Sequence, residues 1–224
     1  MPIEQTLEQG LNIFGPEICL EKIRHFMMDT TKIEPLTSPA LPAAHYHFIT
    51  HWQFEHTRCE EVYRILEEVE SLADWWPSVY LDVRVREKGQ PGGVGKRVEL
   101  YTKGWLPYTL RWSFVVTATE FPKGFSLRAE GDFAGTGVWS FRQEGPVCHV
   151  TYDWQIAAGK PLLRRLSWLL RPLFSANHEW AMRQGFRSLA LELQRRRGNT
   201  QVPPPPGPTW PHGWTNNKIL SDKG

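Results

Sequence analysis

The stretch Lys160–Arg197, KPLLRRLSWLLRPLFSANHEWAMRQGFRSLALELQRRR, is the one long segment of helical periodicity near the end of a mostly β chain. Its apolar residues recur at the spacing of one helix face: Leu162, Leu166, Leu169, Leu173, Trp180 and Leu191. Pro172 lies within this pattern, and because proline removes a backbone donor it predicts a kink or break near residues 170–172. We therefore expect a short helix followed by a main helix from about residue 173 to residue 196, with a curved sheet wrapped around it.

Two amides, Asn177 and Gln184, fall inside this apolar face. A buried amide needs a hydrogen-bond partner, which either the protein or a bound ligand supplies. His178 lies between this face and a second apolar stripe, and its orientation stays open. The stripe predicts a further covering surface, either the N-terminal extension or a second subunit in a homodimer. It consists of Met182, Phe186, Leu189 and Leu193.

Composition excludes several classes of partner. The chain has 224 residues, a net charge of +2 and 41% hydrophobic residues, which indicates a globular protein without the basic surface of a nucleic-acid binder. Its three cysteines are far apart and fit neither a zinc site nor a disulfide framework, which favours a reducing cytoplasm. We find no apolar run near the ~20 residues of a membrane span and no secretory signal at the start.

The middle of the chain reads as strands separated by turns. The first strand covers residues 45–55, a helix covers 58–69, and the sequence SLADWWP adds a short helical turn ended by Pro77. Further strands are predicted by alternation of apolar and polar residues at 79–87, 95–102, 108–120, 125–130, 137–143 and 147–157. This order predicts an α+β protein of the helix-grip type, in which six or seven antiparallel strands wrap a long C-terminal helix and two short helices follow the first strand.

One face of the later strands is aromatic, and large flat side chains either fill a core or line an apolar pocket. Because the last helix is the obvious cover for that face, we expect a cavity between sheet and helix. The predicted ligand-binding residues are Trp76, Trp112, Phe114, Trp139, Phe141, Tyr152, Trp154, Asn177, Trp180 and Gln184.

Residues 1–43 read as an N-terminal extension with possible short helices and a proline-containing linker, and residues 44–197 as the helix-grip domain. Residues 198–224 are rich in proline, glycine and polar residues, which predicts a disordered or extended tail. The Met27-Met28 pair is an alternative translation start.

No catalytic motif is present, and we expect neither a cofactor nor a metal. His45, His47 and His51 alternate onto one face of the first strand, but no carboxylate or cysteine completes a metal-binding set at useful spacing. His178 is the one weak candidate for a catalytic acid or base. By alternation Arg111, His149 and Asp153 point away from the aromatic face.

Several stretches resemble the helix-grip, or SRPBCC, superfamily, which includes START domains, birch-pollen-allergen-like proteins and polyketide cyclases. They are similar to its bacterial "polyketide cyclase/dehydrase and lipid transport" group: THWQFEHTRCEEVYRILEEVESLADWWP, YLDVRVREKG, VELYTKGWLPYTLRW, GDFAGTGVWSF, VTYDWQI and NHEWAM followed by Gly185. The resemblance spans about Tyr46 to Arg196. It implies a cavity that holds an apolar or aromatic small molecule, and it does not imply catalysis.

Three functions follow as hypotheses. The preferred one is binding or carriage of a hydrophobic or aromatic small molecule or lipid without catalysis. The second is a cyclase or aromatase acting on a polyketide-like chain, which needs a proton-transfer group such as His178 in an open cavity. The third is a protein-interaction module with a packed core.

Overall fold

The computed structural model describes residues 45–158 and 167–209, all of which belong to the compact unit Leu41–Gly224. Predictions for residues 1–43 lie outside these ranges. The described elements follow one another in the predicted order, and a 3₁₀ turn, Val69–Ser71, lies between the first two helices. In chain order they are β1 His45–Phe54, α1 Cys59–Glu67, α2 Leu72–Trp75, β2 Tyr80–Glu87, β3 Arg97–Lys103, β4 Thr109–Glu120, β5 Gly124–Gly131, β6 Phe133–Glu144, β7 Val147–Ala158 and α3 Ser167–Arg196.

The seven strands form one antiparallel sheet in the order β1-β7-β6-β5-β4-β3-β2. Strands β2 to β7 follow one another as a meander, and β1 joins the far side of β7. The β1–β7 ladder runs from His45 opposite Ala157 to Phe54 opposite Cys148. The predicted α+β architecture, with its curved sheet, its two short helices and its long final helix, is confirmed.

Alternation along the strands places the aromatic side chains on one face of the sheet, where they are buried. Trp139 and Tyr152 lie directly opposite each other on β6 and β7, and their rings stack with centroids 4.1 Å apart. Phe141 lies further along β6 and packs against Tyr63 of α1 at 5.4 Å. The face therefore has two parts, one covered by α1 and one that faces α3.

Helix α3 runs without interruption from Ser167 to Arg196 and contains Pro172, so the predicted break does not occur. Pro172 is the sixth residue of the described helix, and its exposed ring turns away from the sheet. A proline so near a helix start removes one backbone hydrogen bond of a 30-residue helix, which the remaining turns tolerate. Leu162 and Leu166 lie outside the described residues.

The sequence analysis assigned the inner face of this helix incorrectly. Met182, Leu189 and Leu193 are buried, and the ring of Phe186 stacks on Phe54 of β1 at 5.0 Å. Most of the stripe expected to need a second subunit or the N-terminal extension is thus buried, and its residue Phe186 meets the sheet. Trp180 and Leu191, expected inside, are only half-buried. Two apolar faces have the same helical period, so periodicity alone does not say which of them meets the sheet.

The contact between Gly185 of α3 and Trp76 shows what brings the correct face inward. A Cβ atom at Gly185 would overlap the six-membered ring of the Trp76 indole. Trp76 is itself buried and stacks on Trp75, which is also buried. The missing side chain therefore lets α3 approach the chain that follows α2.

Ion pairs hold the C-terminal end of α3 against α1. The guanidinium of Arg197 donates to both carboxylate oxygens of Glu61, at 2.7 and 2.9 Å. Below this junction the buried thiols of Cys59 and Cys148 are in contact, with their sulfurs 3.0 Å apart, and both are reduced. The junction joins the start of α1, strand β7 and the last turn of α3.

Residues 198–209, the first part of the tail predicted to be disordered or extended, follow a defined path back to the domain. Arg195 donates to the Pro203 carbonyl at 2.6 Å, Lys103 Nζ donates to the Thr209 carbonyl at 2.7 Å, and the Thr209 hydroxyl donates to the Gly104 carbonyl at 3.3 Å. Proline restricts the unfolded chain and so lowers the entropy lost on ordering. A composition that predicts disorder can therefore form an extended strap. Residues 210–224 lie outside the described ranges.

The first prediction concerns Gly185. We expect Gly185→Ala to lower the free energy of unfolding by about 1–3 kcal/mol through overpacking against Trp76, although the same change in an exposed helix gains about 1 kcal/mol. Urea denaturation measures the difference. The double variant with Trp76→Phe, which makes room for the methyl group, should lose less than the sum of the two single variants. A Gly185→Ala protein as stable as the wild type would contradict this packing.

The second prediction concerns residues 200–209 of the strap. A protein ending at Asn199 should unfold at a lower temperature than one ending at Thr209, because only the longer chain retains the three hydrogen bonds to the domain. Each such bond contributes about 0.5–1.5 kcal/mol, so we expect a difference of about 1–3 kcal/mol after the entropy of ordering is subtracted. Equal melting temperatures in calorimetry would show that the strap does not stabilise the domain.

Candidate ligand-binding site

The described residues line a partly open cavity of about 130 Å³ between the sheet and α3. Strands β1, β3, β4 and β7 form one wall, the chain from Trp76 to Tyr80 forms an end, and the first half of α3 forms the cover. Its lining is aromatic and aliphatic, with few polar groups. The lining residues are Tyr46, Phe48, Trp76, Val79, Tyr80, Thr102, Lys103, Gly104, Tyr108, Leu110, Trp112, Tyr152, Trp154, Ile156, Phe174, Asn177, His178, Ala181 and Met182.

The size of the cavity limits what it holds as it stands. An apolar cavity of about 150 Å³ accommodates one benzene molecule, so this one has room for about one aromatic ring. A longer molecule would require the lining side chains to move.

Six of the residues singled out from sequence line this cavity: Trp76, Trp112, Tyr152, Trp154, Asn177 and His178. Five others do not, namely Phe114, Trp139, Phe141, Trp180 and Gln184. Trp139 lies behind Tyr152, in ring contact with Trp52, and Phe141 lies under α1. Alternation shows which residues of a strand face inward. It does not show which of these residues border the cavity under α3 and which are packed in the core.

The sequence analysis missed the contribution of β1 and β2. Tyr46 and Phe48 alternate with histidines on β1, and they line the cavity because β1 pairs with β7 beside Trp154. Tyr80 was assigned to the polar face of its strand. A register shift between Tyr80 and Asp82 breaks the alternation and turns Tyr80 inward. The alternation of Tyr46 and Phe48 was a usable signal, whereas the bulge in β2 has no signature in the sequence.

Asn177 fixes the loop after β3 to the cover. Its Oδ1 atom accepts a hydrogen bond from the Leu106 backbone N–H at 3.2 Å, and its amide lies where a Cβ of Gly104 would be. The sequence analysis considered two sources of a partner for this amide, the protein and a bound ligand, and here the protein supplies a hydrogen bond. Gln184 is buried two turns further along, away from the cavity.

His178 is placed as a wall of the cavity rather than as a proton donor or acceptor. Its ring stacks on Phe48 with centroids 4.2 Å apart, and burial lowers its pKa to about 4, so it is neutral at pH 7. Its Nε2 atom is buried and has no hydrogen-bond partner among the described residues. A molecule in the cavity does not reach that atom without a movement of the ring.

Tyrosine hydroxyls are among the polar groups at the cavity, together with the side chains of Thr102, Lys103, Asn177 and His178. Burial raises the pKa of Tyr80 and of Tyr108 well above the ordinary value, and it does the same for Tyr152. All three therefore stay protonated at neutral pH and can donate a hydrogen bond.

The histidines of β1 lie on the other face of the sheet. His47 Nε2 is 3.1 Å from Asp153 Oδ1 and His51 Nδ1 is 3.2 Å from Thr151 Oγ1, both partners on β7. The side chain of His45 lies outside what is described. Within residues 45–158 and 167–209, we find no group of three or more His, Cys, Asp or Glu side chains placed to bind a metal ion.

The fold is similar to several solved structures. The protein TTHA0849 of Thermus thermophilus aligns with a TM-score of 0.54 and 20% identity, over 69% of this chain and 100% of that one. The Zhui aromatase/cyclase of a Streptomyces species aligns at 0.52 and 16%, over 71% and 99%. The di-domain aromatase/cyclase StfQ of the steffimycin biosynthetic pathway aligns at 0.52 and 16%, over 70% and 53%. Identities this low show the fold alone.

No protein-family model matches the chain, and no curated protein matches it in sequence. Among the helices of the described residues, none is both long enough and apolar enough to cross a membrane.

The third prediction follows from the buried ring of His178. Its pKa is about 4 in the folded protein against 6.5 for the ordinary group, so below about pH 6.5 the unfolded chain binds a proton that the folded chain does not. Stability contributed by the neutral ring is complete above pH 6.5 and is lost as pH falls towards 4, by about 2–3 kcal/mol at pH 4.5.

His178→Phe keeps a ring on Phe48 and removes this proton uptake. The fall in unfolding free energy between pH 7.5 and pH 4.5, measured by urea denaturation, should be smaller in that variant by about 2–3 kcal/mol. Ile49, an exposed residue of β1 that does not titrate, supplies the control, since Ile49→Phe should leave the pH dependence unchanged. Equal pH dependence in wild type and His178→Phe would contradict the burial of a neutral histidine.

Proposed function

We propose that this protein binds a small aromatic or hydrophobic molecule in the cavity between its sheet and α3. The observation that carries this proposal is an unfilled cavity whose walls are aromatic rings, nine of them among the described lining residues. Protein interiors are otherwise close-packed, and an empty apolar cavity lowers the stability of the folded state. A bound molecule that fills the cavity offsets this cost. Apolar walls with a few placed polar groups are typical of small-molecule sites.

The polar groups of the cavity favour binding or carriage of the ligand without catalysis. Catalysis by proton transfer needs a group that titrates near the working pH and contacts the substrate. His178 is neutral with a pKa of about 4, and its Nε2 atom is closed off from the cavity. The tyrosine hydroxyls have raised pKa values and do not lose protons readily.

The alternative function is that of a polyketide cyclase or aromatase. Similarity of fold to the Zhui and StfQ aromatase/cyclases and the hydroxyl groups in the cavity favour it. The cavity volume of about 130 Å³ weighs against it, since a chain long enough to cyclise exceeds the space of about one ring. Turnover of such a chain would also require α3 or the lining residues to move.

The interaction-module hypothesis expected a packed core, and the unfilled cavity gives it less support. The homodimer was predicted through the stripe Met182, Phe186, Leu189 and Leu193, of which Phe186 packs on the sheet and the other three are buried. A cytoplasmic location remains a proposal that rests on the sequence, whose three cysteines have neither a zinc spacing nor a disulfide framework. Ligand binding in the cavity requires neither a second subunit nor a protein partner.

The fourth prediction tests the cavity directly. Toluene should bind saturably to the wild type in isothermal titration calorimetry, because one ring fits the space. Ala181→Phe places a ring in the cavity from α3 and should weaken toluene binding at least about tenfold, which corresponds to about 1.4 kcal/mol. Ala118 is an exposed alanine on β4, so Ala118→Phe serves as the matched control and should bind like the wild type.

Circular dichroism and the melting temperature establish that each variant is folded. A wild type that takes up no toluene, or an Ala181→Phe variant that binds it as well as the wild type does, would sink the proposed site.

A further inference from the structure

We propose that the hydroxyls of Tyr80 and Tyr152 form a pair of hydrogen-bond donors for a carbonyl oxygen, so that the ligand is a small aromatic carbonyl compound. This inference rests on the proposed function and adds the chemical class of the ligand. It follows from the positions of the two rings, from the lack of a hydrogen-bond partner for either hydroxyl among the described residues, and from the chemistry of the phenol group.

Tyr152 is held rigidly in the wall of the cavity. It lies on β7, its ring stacks on Trp139 at 4.1 Å and on Trp154 at 5.6 Å, and only 8% of it is exposed. Its hydroxyl reaches over Gly137 of β6, where a Cβ atom would lie 2.8 Å from the oxygen. The glycine leaves room for the hydroxyl at this point, and the stacked rings fix its direction.

Tyr80 approaches the same cavity from the opposite edge of the sheet. It begins β2, its backbone N–H donates to the Trp76 carbonyl at 3.1 Å, and its ring meets the Trp76 ring edge-to-face at 5.1 Å. Its proximity contributes to raising the pKa of Tyr152, so charge on one hydroxyl disfavours charge on the other. Both phenols line this one cavity.

Neither hydroxyl has a hydrogen-bond partner among the described residues. Buried polar groups are almost always satisfied, and the exceptions in a native structure need an explanation. The unpartnered atoms that are sealed from all open space include Trp75 Nε1 and Ser188 Oγ, and also Trp76 Nε1 and His178 Nε2 of two cavity-lining residues, but neither tyrosine hydroxyl is among them. Both tyrosines line the cavity. A ligand oxygen is the partner that this arrangement lacks.

A carbonyl oxygen is the group that suits two phenols. A phenol hydroxyl is a strong donor and a weak acceptor, because its lone pair is delocalised into the ring, and a carbonyl oxygen has two lone pairs and needs no proton of its own. A neutral acceptor also avoids the large free-energy penalty of burying a carboxylate in an apolar cavity. The aromatic walls and the space for about one ring supply the rest of the recognition.

The fifth prediction compares two ligands of the same shape. Acetophenone and α-methylstyrene differ only in a carbonyl oxygen against a methylene group. Tyr80→Phe and Tyr152→Phe each remove one donor and keep the ring. We expect each variant to bind acetophenone about three- to tenfold more weakly than the wild type does, which is the range for one hydrogen bond, and to bind α-methylstyrene with unchanged affinity.

Tyr101→Phe is the matched control, since Tyr101 lies on the other face of the sheet beneath the guanidinium of Arg111. It should leave the affinity for both ligands unchanged. The infrared carbonyl stretch of bound acetophenone gives a second readout that packing does not imitate. It should be lowered relative to the same compound in hexane, and less so in each of the two cavity variants.

The outcomes separate this inference from the function on which it rests. If neither compound binds to the wild type, both the proposed function and the donor pair are wrong. If both bind and the two cavity variants weaken acetophenone no more than α-methylstyrene, the aromatic site stands and the donor pair is wrong. A selective loss for acetophenone, with the matching infrared shift, supports the donor pair.

Discussion

Covering the aromatic face of one antiparallel sheet is the constraint on which the rest of this structure depends. Strands β4, β6 and β7 carry tryptophan, phenylalanine and tyrosine on one side, and the free energy of burying such side chains requires a cover. The described chain provides two covers, α1 over one part and α3 over the other. Gly185 lets α3 come close at Trp76. Beyond that contact, the first half of α3 leaves space between itself and the aromatic rings of the sheet, and this space is the cavity.

Much of the fold was predictable because it follows from strong local patterns. Alternation identified the strands and their buried face, and the order of elements with one long helical segment at the end indicated how they assemble. The errors arose where two arrangements satisfy the same pattern. Helix α3 has two apolar faces of equal period, and only the contacts of Phe186 with Phe54 and of Gly185 with Trp76 decide between them. Likewise the break expected at Pro172 followed a general rule for proline, which the continuous helix α3 does not obey.

The candidate site was less predictable than the fold because a cavity is a property of packing. Residues on the correct face, such as Trp139 and Phe141, are core because α1 or a neighbouring ring covers them. Tyr80 turns inward only because β2 has a register shift at its start. The resulting site is mainly apolar with tyrosine hydroxyls among its lining, and its histidine is neutral and closed off. This chemistry suits recognition of a small aromatic molecule better than proton transfer.

The most direct measurement of the central claim is a crystal structure of the protein grown in the presence of a one-ring aromatic compound such as bromobenzene, whose heavy atom gives an anomalous signal. The account predicts an anomalous peak in the cavity, between Tyr152 and Met182, with α3 in place and the lining rings close to their present positions. A cavity without such a peak, with its lining side chains collapsed into the space or the compound bound only at the surface, would contradict the account.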